Sequence, residues 1–226
     1  MTNLDLYARI EPMIGFYEAY EKLYEVYLQI LESYAPGSVL DVGCGNGKLL
    51  AELSQKYHAT GIDISREMVE IAKAKGLDAR HCYLHELDAS YDAVLAVADV
   101  LNYMPKETMA TFLEDVAKHL VKGGIFVCDV NTLHGFEDVA SGSLIVDEEE
   151  KFLAIDAEFE ENILHTEITF FEKKAGECYT KEQGTIAQYY HTLSEIISLS
   201  PMKMIKNFDI SLFSMESDKT ILVFQK

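Results

Sequence analysis

The sequence predicts a doubly wound α/β fold, a seven-stranded mixed sheet with an antiparallel β insertion after the fifth strand, and three observations carry that expectation. From about residue 38 to 131, five short apolar, β-branched runs alternate with stretches whose apolar residues recur every three or four positions. That alternation describes parallel strands joined by helices that cover both faces. From about 133 to 192 the apolar period falls to two, the mark of half-buried antiparallel strands. Two last runs, "MKMIKNFDISLF" and "KTILVFQK", read as a hairpin returning to the main sheet.

The elements follow in order. Residues 13 to 34 place Phe16, Tyr20, Leu23, Tyr27, Ile30 and Leu31 on one helical face, and Pro36 and Gly37 stop that helix. "SVLDVG" is the first strand, and from Lys48 the pattern turns helical through Leu49, Leu50 and Leu53. "HATGIDIS" is a second strand ending at Asp63. Ser65 then caps a helix with Met68, Val69, Ile71 and Ala72 on its buried face and Gly76 at its close. "LDARHCY" and "YDAVLAVADV" are the third and fourth strands, followed by a helix over roughly 105–120 and by "GGIFVCDVN" as the fifth. In the insertion, "KFLAIDAEFE" and "ILHTEITFF" alternate at period two, and a turn near "KKAGE" leads into "CYTKEQGTIAQYYH". "LSEIISLS" is one last short helix. The expected organisation is a helical cap over 1–36, a core over 37–132 and 193–226, and an insertion over 133–192 that covers the substrate.

A chain of 226 residues, 49% hydrophobic, is long enough for one core with an elaboration. With 38 acidic against 19 basic residues the formal charge is −19, a sign that repels phosphate backbones and disfavours nucleic acid as a partner. Cys44, Cys82, Cys128 and Cys178 contain no C-x-x-C pair and read as reduced thiols. No run approaches the roughly 20 apolar residues that span a bilayer, and "MTNLDLYARIEPM" lacks the pattern of a signal peptide, so a cytoplasmic protein without membrane contact is expected.

The stretch "VLDVGCGNGKLL", residues 39–50, carries the chemistry. In an open parallel sheet, ligands sit beyond the carboxyl ends of the strands where the strand order reverses, and glycines there let a ligand pack on backbone. A P-loop needs a hydroxyl residue after its lysine, but Lys48 is followed by Leu49. A dinucleotide loop counted from Gly43 and Gly45 needs a third glycine where Lys48 stands. What remains is D-x-G-x-G-x-G from Asp41 to Gly47, with a carboxylate, Asp63, 20 residues after Gly43 at the end of the second strand.

This combination resembles the class I S-adenosylmethionine-dependent methyltransferases, over about residues 37–131 and, by topology, the final strand pair. Asp41 suits such a cofactor physically: a carboxylate beside the loop repels a pyrophosphate but attracts the ammonium and sulfonium of S-adenosylmethionine. The resemblance implies that Gly43, Cys44 and Gly45 line the methionine portion, that Asp63 holds the ribose hydroxyls, and that Ile64 and Met68 pack near the adenine. Where many family members carry an acidic residue for the adenine amine, this chain has Cys82 or Tyr83 in "RHCYLHELD", a departure that leaves backbone groups to serve. The resemblance also implies that the loop after the fourth strand, "VADVLNYM", brings Ala98, Asp99 and Asn102 toward the cofactor.

Methyl transfer needs proximity and alignment above all, an effect that reaches about 7–11 kcal/mol in favourable cases. Tyr7, Tyr17, Tyr20, Tyr24 and Tyr27 read either as an aromatic lid able to attract a cation or as a stripe packed on the core. Tyr17, Asn102, Asn131 and Tyr189 are candidates for substrate binding. Within "QYYH", Tyr189 and His191 share one strand face, with Gln188 and Tyr190 on the other. His191, His134 and Tyr189 are the candidates for taking a proton from the acceptor. "HCYLHE" has the residue types of a metal site but sits on a strand and loop, so no metal is expected. "DEEE" at 147–150 reads as a solvated turn. The expected function is N- or O-methylation of a small metabolite. A tRNA-modifying or protein methyltransferase, or a cofactor-binding module without turnover, are the alternatives.

Overall fold

The computed structural model describes residues 3–174, 176 and 178–226. Its strands are β1 (Ser38–Val42), β2 (His58–Asp63), β3 (Ala79–His81), β4 (Tyr91–Ala96), β5 (Leu120–Asn131), β6 (Gly142–Asp147), β7 (Lys151–Glu160), β8 (Ile163–Lys173), β9 (Tyr179–Tyr189), β10 (Lys203–Ile210) and β11 (Lys219–Gln225). Seven of them form one sheet in the order β10-β11-β5-β4-β1-β2-β3. β1 to β5 run parallel, and β11 lies antiparallel between β5 and β10.

The apolar runs are continuous in the middle strands because helices cover both faces. On one face, α2 (Tyr17–Tyr34) and α3 (Lys48–Leu53) pack Leu23, Leu31, Leu49 and Leu53 against Val39, Leu95, Val127 and Val223. On the other, α5 (Lys106–His119) and α6 (Leu193–Leu199) bring Met109, Leu113 and Ile196 onto Leu40, Val94, Phe126 and Leu222. α4 (Arg66–Ala74) seats Val69 and Ala72 beside Leu50 and Ala79, and Ser65 caps it by accepting the Met68 amide at 3.3 Å.

The expected N-terminal helix is two helices. α1 (Asn3–Ile14) ends at Gly15, whose φ of +78° turns the chain before α2 begins. α1 has its own task, because Leu6 and Ile10 pack on Leu153, Ile168, Phe170 and Ile186 of a second, antiparallel sheet ordered β6-β7-β8-β9. The extra strand, β6, pairs with β7 through Leu144↔Ile155. It escaped the period-two reading because it is a short edge whose Leu144 and Val146 are only half-buried. The turn joining β8 to β9 closes with the Lys174 amide on the Cys178 carbonyl (2.8 Å); Ala175 and Glu177, within "KKAGE", lie outside the described residues.

α1 ties the two sheets together. Toward the second sheet, Asn3 donates to the Thr185 carbonyl (2.6 Å), and Arg9 reaches Glu182 (2.5 Å) and Glu172 (3.0 Å) over the ring of Phe170. Toward the main sheet, Asp5 accepts from the Ser65 hydroxyl (2.8 Å), and Glu11 accepts from Asn46 (2.8 Å) and Lys48 (3.2 Å). Among the described residues no helix is long and apolar enough to cross a membrane.

Candidate functional site

The strand order reverses at β1, whose register sets Asp41 against Gly61 on one side and Leu95 on the other. Ligands of such sheets sit beyond this edge. The loop that follows folds back on β2: the amides of Gly43 and Cys44 both donate to the Ile62 carbonyl (2.8 and 3.0 Å), and the Gly45 amide donates to Asp63 Oδ2 (2.9 Å). Two of its glycines are needed for different reasons. Gly43, at φ +75°, leaves room for Val100, whose Cγ2 would stand 2.9 Å from an added Cβ. Gly47, at φ +80°, lies where a Cβ would come within 2.6 Å of Leu77 Cδ1 and 2.9 Å of Ala72 Cβ. Gly47→Ala therefore meets both strain and overlap, and a loss of about 1–3 kcal/mol is expected, read as a lower midpoint in thermal melting.

Asp41 is 2% exposed, and its carboxyl accepts no hydrogen bond from any described residue. Burial, helped by the neighbouring Asp63, pushes it up to about 7. Asp63 is differently placed. Burial raises it, while amide donors pull it back: Ser65 N to Oδ1 (2.7 Å), Gly45 N to Oδ2, and Ile64 N. The Asp63 carboxylate thus helps build the turn through both of its oxygens.

Around this pair, Ile64 is exposed at 44% and Met68 is buried, with its Sδ beside Gly45. Burial raises the Cys44 thiol. Cys82 is half-buried against the core, whereas Tyr83 is exposed and stacks on His85 at 5.6 Å. "HCYLHE" leaves the strand for a single 3-10 turn at Leu84–Glu86, with His81 Nε2 3.2 Å from the Ile64 carbonyl.

The loop after β4 holds two consecutive non-glycine residues in the left-handed region, Ala98 (φ +63°) and Asp99 (φ +66°). Asp129, fully buried on β5, holds them by accepting the Ala98 amide on Oδ1 (2.8 Å) and the Asp99 amide on Oδ2 (3.1 Å). It also accepts from the Tyr27 hydroxyl (2.7 Å) and from Lys219 Nζ (3.2 Å). Lys219, 2% exposed, donates further to Asn131 Oδ1 (3.0 Å) and to Asp99 Oδ1. Burial pushes Asp129 up to about 6 and Lys219 down to about 7. The three N–H groups of an ammonium match the three acceptors, two of them carboxylates, and that geometry holds Lys219 charged. Sequence reasoning missed Asp129 and Lys219. The signal was present, since Asp129 interrupts the apolar run "IFVCDV".

The remaining candidates are distributed as follows. Asn102 is fully buried with both ends of its amide engaged: Nδ2 donates to the Tyr189 carbonyl (2.8 Å) and Oδ1 accepts the Asn131 amide (3.0 Å), clipping β9 to the end of β5. The Tyr189 ring stacks on His191 (6.5 Å), and Tyr190, on the other side, packs on Phe136. His191 is buried, with Nε2 2.9 Å from the Met104 carbonyl and no partner for Nδ1 among the described residues, and burial lowers its pKa. His134 stands elsewhere, between Asp138 (3.0 Å) and the Ser214 hydroxyl (2.9 Å). The side chain of Tyr17 lies outside the described residues. Of the other tyrosines, Tyr27 is spent on Asp129 and the Ala96 carbonyl. Tyr7 and Tyr20 share a hydrogen bond, and burial raises both, as it does Tyr103 next to them. With Glu11, Ile14 and Phe16, Tyr7 and Tyr20 border a tight seam between α1 and α2.

The comparisons with known proteins agree with this geometry. Residues 39–124 match the family model described as "Methyltransferase domain". A protein of Bacillus subtilis (strain 168) named "Putative methyltransferase YqeM" is 27% identical over 227 residues, covering 91% of this chain and 89% of that one. Among solved structures, an S-adenosylmethionine-dependent methyltransferase from Clostridium acetobutylicum superposes with a TM-score of 0.76 at 20% identity, covering 91% of both chains. The sugar N-methyltransferase KedS8 from Streptoalloteichus reaches 0.73 at 18% identity, covering 99% of this chain and 93% of that one. The glycine loop behind β1, the strand order and the domain match over residues 39–124 together make this chain similar to the class I S-adenosylmethionine-dependent methyltransferases, whose fold it shares.

Proposed function

We propose that the chain binds S-adenosylmethionine across the ends of β1, β2 and β4 and directs its methyl group to a nitrogen or oxygen of a small metabolite. The observation that carries this reading is Asp41. A carboxyl that is almost wholly buried and accepts no hydrogen bond from a described residue is costly unless a cationic ligand completes it. The methionine portion, with its ammonium and sulfonium, is such a ligand, and a pyrophosphate is not.

The surrounding residues fit the rest of the cofactor. Gly43, Cys44 and Gly45 offer backbone to the methionine portion, Asp63 sets a carboxylate at the end of β2 for the ribose, and Met68 and the exposed Ile64 suit an adenine face. Cys82 and the exposed Tyr83 border that face, where backbone groups serve the adenine amine. When bound, S-adenosylmethionine supplies an electrophilic methyl group; transfer breaks its S–CH3 bond, forms the N–CH3 or O–CH3 bond, and leaves a neutral thioether.

The protein's part is to align and to exclude water. In this reading α1 and α2, within the cap over 1–36, close the cofactor edge through Asp5–Ser65, Glu11–Asn46 and Glu11–Lys48, and the insertion over 133–192 covers the acceptor side. Tyr189 and His191 form a wall of that side, anchored by Asn102 and the Met104 carbonyl, with Asn131 beneath. A net charge of −19 and the likeness to a sugar N-methyltransferase favour a small acceptor over a nucleic acid.

Calorimetric titration of the purified protein with S-adenosylmethionine and S-adenosylhomocysteine, using NAD and ATP as controls, tests the reading. Saturable one-to-one binding of the first pair alone is expected. Preference for NAD or ATP, or no binding of any of the four, would overturn it.

A further inference from the structure

We propose that the methyl acceptor is an amine and that Asp99 is the residue that receives its nitrogen; this rests on the cofactor placement above. The cluster at the ends of β4, β5 and β11 contains two carboxylates, Asp99 and Asp129, and one ammonium, Lys219. Asp129 is closed off by four donors, from Tyr27, Ala98, Asp99 and Lys219. Lys219 is closed off by three acceptors. One negative charge is left over, and it emerges at Asp99, whose side chain is 18% exposed against 0% for Asp129 and 2% for Lys219.

Geometry directs that charge outward. Lys219 takes Asp99 Oδ1, while Oδ2 accepts no hydrogen bond from any described residue. The backbone beneath is held in the left-handed region at two successive non-glycine positions, strain that persists only where surrounding contacts over-determine it, here the two amides on Asp129. The loop begins beside the cofactor edge, because β4 neighbours β1 through Val42↔Ala96. A free carboxylate oxygen fixed there fits an N–H-rich, cationic acceptor better than a neutral hydroxyl, and the −19 charge of the chain draws cations toward it.

The same oxygen accounts for the proton. An ammonium acceptor must free its lone pair before attack, so R–NH3⁺ and Asp99–COO⁻ become R–NH2 and Asp99–COOH. In a site closed to water, this neutral pair avoids the desolvation cost of the charged one. The lone pair then forms the N–CH3 bond as the S–CH3 bond breaks and its electron pair stays on sulfur.

The test reads Asp99 directly and needs no knowledge of the natural acceptor. Protein labelled with [13C]aspartate is loaded with S-adenosylhomocysteine and titrated with n-propylammonium or n-propanol. The Asp99 Cγ resonance is assigned by its loss in Asp99→Asn, a substitution the left-handed backbone accommodates because Asn is enriched there. Expected are a saturable shift with propylammonium, a midpoint at least about tenfold weaker with propanol, and S-adenosylhomocysteine affinity in Asp99→Asn within about twofold of wild type. No saturable shift, or an equal response to both probes, would overturn the amine assignment. An affinity loss of about tenfold or more in Asp99→Asn would overturn it too, by making Asp99 a cofactor residue. Wild-type protein that fails to bind S-adenosylhomocysteine would instead sink the cofactor placement, a separate result seen before any amine is added.

Discussion

Asp41→Asn is expected to weaken S-adenosylmethionine binding by about 30-fold or more while making the ligand-free protein more stable. The first half follows from removing one member of a buried, charge-assisted contact, which costs about 2–5 kcal/mol in measured pairs. The second follows from the empty-site cost of the same carboxylate. Its folded-state value of about 7 lies above the 3.8 of an unperturbed aspartate. For an acid raised on folding, the associated stability is fully present below the unfolded value and is lost as pH climbs to the folded one. The ligand-free protein should therefore lose stability between about pH 4 and 7, by an amount of the order of 4 kcal/mol from this group alone. Asp63, also raised, acts in the same direction.

Cofactor affinity should run the opposite way. Binding needs the carboxylate, so affinity should drop as pH falls below 7, approaching tenfold per unit until the value in the complex is reached. Calorimetry from pH 6 to 7.5 on wild type and Asp41→Asn checks both halves. A variant that binds like wild type, or that keeps the pH slope, would show that Asp41 does not face the cofactor.

Asp129→Ala is expected to destabilise the protein by about 3–5 kcal/mol, because it strands four donors, one of them the buried ammonium of Lys219. For a chain of this size that is a fall in melting temperature of about 6–20 °C. The double substitution Asp129→Leu with Lys219→Met removes both charges, and chemical denaturation should find it less damaging than the two single changes added together. Equal additivity would mean that the two groups do not depend on one another.

Much of the fold was legible because its signals are local. "SVLDV" and "YDAVLA" read as buried strands since both faces of a parallel strand meet helices, and the Ser65 cap needed only the Met68 amide three residues on. The glycine loop was legible for a similar reason. Gly43 and Gly47 sit at positive φ with neighbours where a Cβ would stand, and few other residues satisfy both conditions. α1 and the break at Gly15 were less visible, since Leu6 and Ile10 find their partners, Ile168 and Phe170, more than 150 residues away.

The residues at the ends of β4, β5 and β9 divide along the same line. Asn102 was expected near cofactor and substrate, and its amide is engaged at both ends by Tyr189 and Asn131. Asp99 carried no more signal than its neighbours until Lys219, 120 residues later, was found beneath it. The sequence by itself determined the alternating strands and helices, the glycine loop and the sign of charge beside it. These rest on periodicity and on backbone conformations that only certain residues adopt. Tertiary structure alone decided which carboxylates the described residues satisfy: Asp129 is closed by four donors, Asp41 takes none from a described residue, and Asp99 keeps one oxygen without a described donor. That distinction is a balance of buried charges and donors brought together from β1, β4, β5, β11 and α2, and no local stretch of chain contains it.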